Sequence, residues 1–150
     1  MGFPFSSGDV LTAADMNAIG EWITFTPSWS NLTVGNATQD ASYCVVNNLI
    51  VVQFSITLGS TSAMGSTPVF TLPVNSAGVS SYQAMGVVSF HDSGSYVHSG
   101  VMQYLSSQLT MPRRQAVVGS NVVTSSPSPT APFTWTTGDH MRGIFTYKAA

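Results

Sequence analysis

Charged side chains are scarce in this sequence. Lys and Arg number 4 and Asp and Glu number 6 among 150 residues, which is 7%, whereas a globular domain usually carries about 25%. The 51 residues between Asp40 and Asp92 contain none. Soluble monomers use surface charge to keep strand edges apart, so the shortage predicts a homo-oligomer whose copies cover much of each other's surface. The alternative is a β surface kept soluble by its 22 Ser and 16 Thr hydroxyls.

The few basic residues and the lack of long apolar runs exclude two kinds of partner. Arg113, Arg114, Arg142 and Lys148 cannot form a phosphate-neutralising stripe, so no nucleic acid is expected. No apolar run approaches the roughly 18 residues of a membrane helix, so no membrane insertion is expected. The N-terminus lacks a basic region followed by an apolar stretch, which predicts synthesis in a cytosol without secretion.

Cysteine occurs once, which excludes an internal disulfide and a multi-cysteine metal cluster. Cys44 has no basic neighbour and lies in an apolar stretch, so we expect an inert core thiol. His91 and His98 could meet across a turn, but two ligands without a carboxylate cluster are too few for a closed metal site. We therefore expect no metal and no cofactor.

Alternating apolar residues predict a β domain from Trp22 onward. Val52, Phe54, Ile56 and Leu58 share one face of a strand, and Asn47-Asn48 suits a hairpin before it. Strands are expected at Ile23–Thr26, Tyr43–Val46, Leu49–Leu58, Val69–Leu72, Gln83–His91, Tyr96–Leu105, Gln108–Met111, Val117–Val123 and Arg142–Tyr147. About eight or nine short strands indicate a mainly β fold, a β-sandwich or jelly-roll-like domain over residues 22–150.

The first 21 residues form a separate segment. Thr12 and Asp15 suit the first turn of a short helix from Ala13 to Ile19, which Gly20 would end. Such a short helix does not hold alone in water, so it must dock on a partner. The predicted docking residues are Leu11, Met16 and Ile19 of this segment, together with Trp22 directly after it.

Candidate catalytic groups do not form a pattern. His91-Asp92-Ser93 is consecutive, and neighbouring strand residues point to opposite faces, which favours a turn over a catalytic triad. A glycosidase needs two carboxylates about 5–10 Å apart, and nothing in the sequence pairs Asp9, Asp15, Glu21, Asp40, Asp92 and Asp139. We therefore expect no enzymatic activity. The aromatic residues Trp29, Tyr82, Tyr96, Tyr104, Trp135 and Tyr147 could stack on sugars, but a core role is favoured.

Both ends of the chain resemble one family. Residues Phe5 to Ile19 contain Gly-Asp-Val-Leu-Thr-Ala-Ala-Asp-Met-Asn, which is similar to the opening of many tail-fibre and minor tail proteins of bacteriophages. Pro132 to Tyr147 resembles the closing hairpin of small β domains in these proteins. Trp29, Tyr43 and the Leu72-Pro73 pair resemble the middle of that domain.

This resemblance implies a virion structural protein on the phage tail, a minor tail or fibre-knob protein. Its N-terminus would anchor it to other virion proteins, and a trimeric β domain would point outward and could contact a host-surface glycan. The chain lacks a coiled-coil shaft, a collagen-like repeat and a chaperone-like extension, which favours a compact knob. The alternatives are a capsid decoration or head-fibre protein and, from another class, a free carbohydrate-binding module.

Overall fold

The computed structural model describes residues 8, 10, 12–14 and 19–150. Those residues form ten β-strands in one curled antiparallel sheet, which confirms the mainly β prediction. The expected helix from Ala13 to Ile19 falls mostly on residues outside the described ones, as do Leu11 and Met16. No helix within the described residues is long and apolar enough to span a membrane.

Most of the connections between consecutive strands are short, but those before β6 and before β10 are longer. Their bounds are β1 Ile23–Thr24, β2 Trp29–Thr33, β3 Thr38–Val46, β4 Leu49–Thr57, β5 Ala63–Thr71, β6 Ala84–His91, β7 Val97–Ser106, β8 Leu109–Val118, β9 Asn121–Ser125 and β10 His140–Lys148. The order across the sheet is β1-β3-β4-β10-β6-β7-β8-β5-β2, and β9 pairs with β8. The last strand of the chain therefore lies in the middle of the sheet, between β4 and β6.

The strand predicted at Leu49–Leu58 is confirmed as β4, which ends one residue earlier, at Thr57. Val52, Phe54 and Ile56 are at most 4% exposed, whereas the alternate residues between them are more accessible. The chain turns into β4 at Asn47, whose φ of +57° is a conformation that Asn tolerates. Burying each large apolar side chain of this strand stabilises the fold by about 1.5–3 kcal/mol.

One strand prediction is wrong, and one strand was not predicted. Val117–Val123 is not one strand but a hairpin, because the chain reverses at Gly119 with a φ of +61°. The strand Trp29–Thr33 was not expected, because its register with β5 shifts at Asn31, where φ is +58°. This irregularity breaks the alternation that a sequence pattern depends on.

Aromatic rings fill the space inside the curled sheet. Trp29 of β2, at one end of the sheet order, contacts Phe54 of β4 with ring centroids 6.0 Å apart. Its indole Nε1 donates a hydrogen bond of 2.8 Å to Oε1 of Gln39 on β3. Phe70 and Phe145 complete this ring cluster. The curl therefore brings β2, at one end of the sheet order, against β3 and β4 near the other end. Over the central strands the opposite face of the sheet is accessible to solvent.

Candidate functional site

A row of polar side chains crosses the outer face of the sheet. The register places Ser55 opposite Asp40 on one side and opposite Arg142 on the other. The row continues from Arg142 to Ser89 and from Ser89 to Ser99. Since neighbouring strands lie about 4.8 Å apart, the row offers a hydrogen-bonding group at each step over five strands.

An apolar strip runs beside this row and forms the floor of a shallow groove. Val87 lies opposite Ile144, and the two are 60% and 48% exposed. Val101 extends the strip onto β7, and Gln53 ends it on β4. We call this depression of about 700 Å³ the outer groove, and Gln115 of β8 closes its far side.

The outer groove suits a ligand that is rich in hydroxyl groups. Ser and Gln side chains both donate and accept hydrogen bonds, and the apolar strip can contact C–H groups. Among the side chains that line the groove, Arg142 and Asp40 are the charged ones. The sequence predicted only the part of the groove that β4 contributes, because the alternation of β4 turns Gln53 and Ser55 outward. The pairing of β10 with β4 and β6 has no signal in the sequence.

Two histidines stack beside the groove. The rings of His91 and His140 lie 4.3 Å apart between centroids, with 16° between their planes. His91 Nε2 is also 3.0 Å from the Ser89 hydroxyl. Burial lowers the pKa of His91, and the nearby charges of His140 and Arg142 lower it further. These effects favour the neutral form of the His91 ring.

His91 and His98, which could have met across the turn, do not meet. His91 lies opposite Val97 and His98 opposite Phe90, so the two imidazoles point to opposite faces of the sheet. His98 instead packs against Phe133, at 5.5 Å between ring centroids. Sequence analysis missed His140 as the partner of His91, because β10 follows β6 only after a long stretch of chain. No group of three or more potential metal-ligating side chains lies together in the described part of the chain.

The carboxylates of the described residues have separate surroundings. Asp92 lies in a turn, where its carbonyl accepts a hydrogen bond from the Ser95 amide. Asp139 is fully buried, and its carboxylate accepts hydrogen bonds from the amides of Ser93 and Thr136. Asp40 is exposed on β3 and Glu21 is exposed before β1, while Asp9 and Asp15 lie outside the described residues.

A second depression lies where the β8–β9 hairpin leaves the sheet. It has a volume of about 520 Å³ and is lined by His98, Arg114, Ala116, Val117, Val122 and Pro132, with Gln115 shared with the outer groove. We call it the corner pocket. Arg114 lies opposite Gly100 of β7, so it shares a face with His98, two residues earlier on that strand. The sequence showed Arg114 only as one of few basic residues.

The remaining candidates are placed as follows. Ile19 and Trp22 are 44% and 47% exposed, whereas Leu11 and Met16 lie outside the described residues. The Cys44 thiol is buried and free, as expected.

The aromatic residues divide between core and surface. Tyr104 and Tyr147 are buried, and Trp29 and Trp135 pack against the core. The core prediction is wrong for Tyr82 and Tyr96, which are 60% and 73% exposed in turn regions. These rings lie outside the residues that line the outer groove.

Comparisons of the chain with protein-family models, with curated proteins and with solved structures found no match.

Proposed function

We propose that this protein is a non-enzymatic structural protein of a bacteriophage virion, a minor tail or tail-fibre knob protein. Segment 1–21 anchors it to other virion proteins, and the domain of residues 22–150 is presented outward as a homotrimer. The curled sheet, closed over the cluster of Trp29, Phe54 and Phe70, is taken as a β-sandwich of the jelly-roll kind. The motif within Phe5 to Ile19 supports the tail assignment.

The β8–β9 hairpin is the observation that carries the oligomeric part of this proposal. Val117, Val118 and Val122 are 62–74% exposed and Val123 is 38% exposed. The chain from Gln115 to Gly138 contains no charged residue. Among the strands of the described residues, β9 pairs with β8 alone, which leaves its outer edge open for another strand. An uncharged, apolar edge of this kind associates readily unless it is covered.

Light scattering at micromolar concentration tests the homotrimer. We expect a mass about three times 15.8 kDa, and we expect Val118→Lys with Val123→Lys to reduce it to that of the monomer. Val46→Lys is the matched control, because Val46 is also exposed, at 43%, but lies at the end of β3. A monomeric wild-type protein would refute the oligomer and favour a free carbohydrate-binding module. A double variant that stays trimeric would show that the interface lies outside the hairpin.

Virion incorporation tests the anchor. The substitutions Met16→Asp and Ile19→Asp should leave the melting temperature of the purified protein near normal, because Ile19 is 44% exposed, and should prevent the protein from entering virions. A melting temperature many degrees lower would mean that this segment packs on its own β domain, and the anchor would be abandoned. Incorporation into heads without tails would instead favour the capsid decoration alternative.

The outer groove supports a second role, in binding a host-surface glycan. Its neutral hydrogen-bonding groups and the exposed strip of Val87 and Ile144 match the hydroxyl and C–H faces of a sugar. Labelled protein should bind whole bacteria of the host and lose binding when periodate has oxidised their surface sugars. Val87→Lys should abolish this binding, and Val46→Lys should not. Binding that survives Val87→Lys would exclude the groove.

A further inference from the structure

The two sides of the outer groove differ in polarity, and both sides run across the strands. On β10, Arg142 lies in the polar row, and Ile144, two residues later on the same face, lies in the apolar strip. On β6, Ser89 and Val87 are divided in the same way. The polarity therefore changes along each strand but stays the same from one strand to the next. A ligand with one polar and one apolar side contacts both over its whole length only if its axis crosses the strands.

The polar row is longer than a single sugar. It begins at Asp40 on β3 and reaches Ser99 on β7. Gln115 of β8 extends it, because Arg114 lies opposite Gly100 and the next residue, Gln115, faces the same side as Ser99. The row thus crosses six strands, β3, β4, β10, β6, β7 and β8 in sheet order, which is about 24 Å. Asp40 and Gln115 are both exposed and the groove is shallow, so a longer chain can continue past both ends.

A chain of sugars matches this arrangement. A pyranose ring has C–H groups on its faces and hydroxyl groups at its edge, and successive rings repeat at close to the strand spacing of about 4.8 Å. Val87 and Ile144 can contact the ring faces, while each strand supplies a donor or an acceptor for the hydroxyl groups. The groove, at about 700 Å³, is larger than one ring fills. An extended peptide fits less well, because it usually pairs through its backbone with the edge of a sheet and not with its face.

We propose that the outer groove binds an internal stretch of a polysaccharide chain, about five sugar units long, with its axis across the strands. The proposal rests on the glycan-binding role given above and specifies its ligand, a chain recognised along its length and not a single terminal sugar. Ring faces lie over the apolar strip, and hydroxyl groups bond to the polar row. Asp40 and Gln115 contact the outermost units, and Arg142 and Ser89 contact the central ones.

Titration of the full-length protein with sized fragments of the host's surface polysaccharide tests the length of the site. Calorimetry with each fragment, from single sugars to long chains, gives the affinity as a function of length. The affinity should rise with each added unit up to about five units and then stay constant. Single sugars should bind at least about a hundredfold more weakly than the fragments at this plateau, because they reach only part of the row.

Two glutamine side chains test the direction of the bound chain. Gln53 lies in the groove on β4, and Gln115 lies at its end on β8, on the other side of β10, β6 and β7. Long fragments should shift the side-chain amide resonances of both glutamines saturably in a nuclear magnetic resonance titration. Gln108, which is exposed in the turn between β7 and β8, should not respond. A shift of only one groove glutamine would mean that the chain does not cross the strands, and the proposal would be overturned.

Variants at the two ends separate a long site from one that binds a terminal sugar. Gln115→Ala and Asp40→Ala should each lower the affinity of long fragments about twofold to tenfold, the usual effect of one hydrogen bond. Short fragments should bind both variants as they bind the wild type, because they can occupy the centre of the groove. Val87→Lys should abolish binding at every length. Gln108→Ala and Asp92→Ala, which make the same changes outside the groove lining, are the matched controls.

Single sugars that bind as tightly as long fragments would overturn the proposal and leave the glycan role of the groove standing. The same holds if neither Gln115→Ala nor Asp40→Ala weakens the binding of long fragments. If neither the intact polysaccharide nor any fragment binds, both the glycan role and this proposal fail. Light scattering on each variant shows whether its oligomeric state is that of the wild type.

Discussion

The carboxylate of Asp139 accepts a hydrogen bond of 2.8 Å from the backbone amide of Ser93, 46 residues earlier in the chain. Its second oxygen accepts from both the amide and the hydroxyl of Thr136. Asp139 is fully buried, so these bonds replace the water that its charge would otherwise hold. One side chain thus joins the turn after β6 to the loop before β10.

Replacement of Asp139 should destabilise the protein strongly. In Asp139→Ala the amides of Ser93 and Thr136 lose their acceptor, and we expect the free energy of unfolding to fall by about 2–4 kcal/mol. Asp139→Asn keeps one carbonyl oxygen and should lose less. Urea denaturation of both variants measures the difference, and Asp92→Ala, at the neighbouring turn, is the control. A loss equal to that of the control would contradict the joining role of Asp139.

The His91–His140 pair predicts acid sensitivity. The pKa of His91 is lowered in the folded protein, so the unfolded chain binds a proton more readily than the folded one. Stability should therefore decrease as the pH falls from about 6.5, and it should level off below the folded pKa. Urea denaturation across this range measures the effect. In His91→Gln the free energy of unfolding should fall less at acidic pH, because the variant lacks the contribution of His91.

The physical cause of this pKa can be tested separately. His140→Gln removes one of the positive charges that oppose protonation of His91, so the pKa of His91 should rise towards its ordinary value. A nuclear magnetic resonance titration of the His91 ring reports it directly. An unchanged or lower pKa in His140→Gln would show that His140 does not lower the pKa of His91.

Tyr147 should give the protein a sensitivity to alkali. Its hydroxyl donates a hydrogen bond of 2.8 Å to the carbonyl of Val74, and burial raises its pKa to about 12. Above pH 10 the unfolded chain loses the phenolic proton while the folded protein keeps it, so stability should fall by about 2–3 kcal/mol up to pH 12.

Tyr147→Phe is the test of this effect. It leaves the Val74 carbonyl unpaired, so it should cost about 1–3 kcal/mol at neutral pH, and its further loss in alkali should be smaller than that of the wild type. Chemical denaturation at neutral and alkaline pH gives both quantities. An equal alkaline loss in the two proteins would assign the effect to another group.

Local patterns in the sequence predicted the strands but not their neighbours. Val52, Phe54 and Ile56 alternate with polar residues, and that alternation alone fixes which face of β4 is buried. Nothing local indicates that β10 inserts between β4 and β6, because pairing over such distances depends on the whole chain. The β8–β9 hairpin was missed because Val117–Val123 is apolar on both sides of its turn, which hides the reversal.

The same limit applies to the candidate sites. The outer groove depends on Arg142 lying between Ser55 and Ser89, three residues from three separate strands. The corner pocket depends on Arg114 sharing a face with His98, which follows from the register of β7 with β8. The sequence shows that arginine is a rare residue type in this chain. It does not show that Arg114 has a buried nitrogen without a partner among the described residues.

Gly143 leaves the space that the Phe54 ring occupies, and this relationship gives a last prediction. A Cβ at Gly143 would lie 2.4 Å from Cε1 of Phe54, which is far inside van der Waals contact. The ring also contacts Trp29, Phe70 and Phe145, so it has no room to retreat. Gly143→Ala should therefore lower the free energy of unfolding by about 1–3 kcal/mol, the usual cost of overpacking a core.

A double-mutant cycle with Phe54→Leu isolates the cause. Leu lacks the far edge of the ring, so it opens the space that the new methyl group needs, although Phe54→Leu alone leaves a cavity and is itself destabilising. Gly143→Ala should consequently cost less in the Phe54→Leu background than in the wild type, by about 1 kcal/mol or more. Urea denaturation of all four proteins gives the coupling. If the two losses simply add, the cost of Gly143→Ala arises from the backbone of β10 and not from the Phe54 ring.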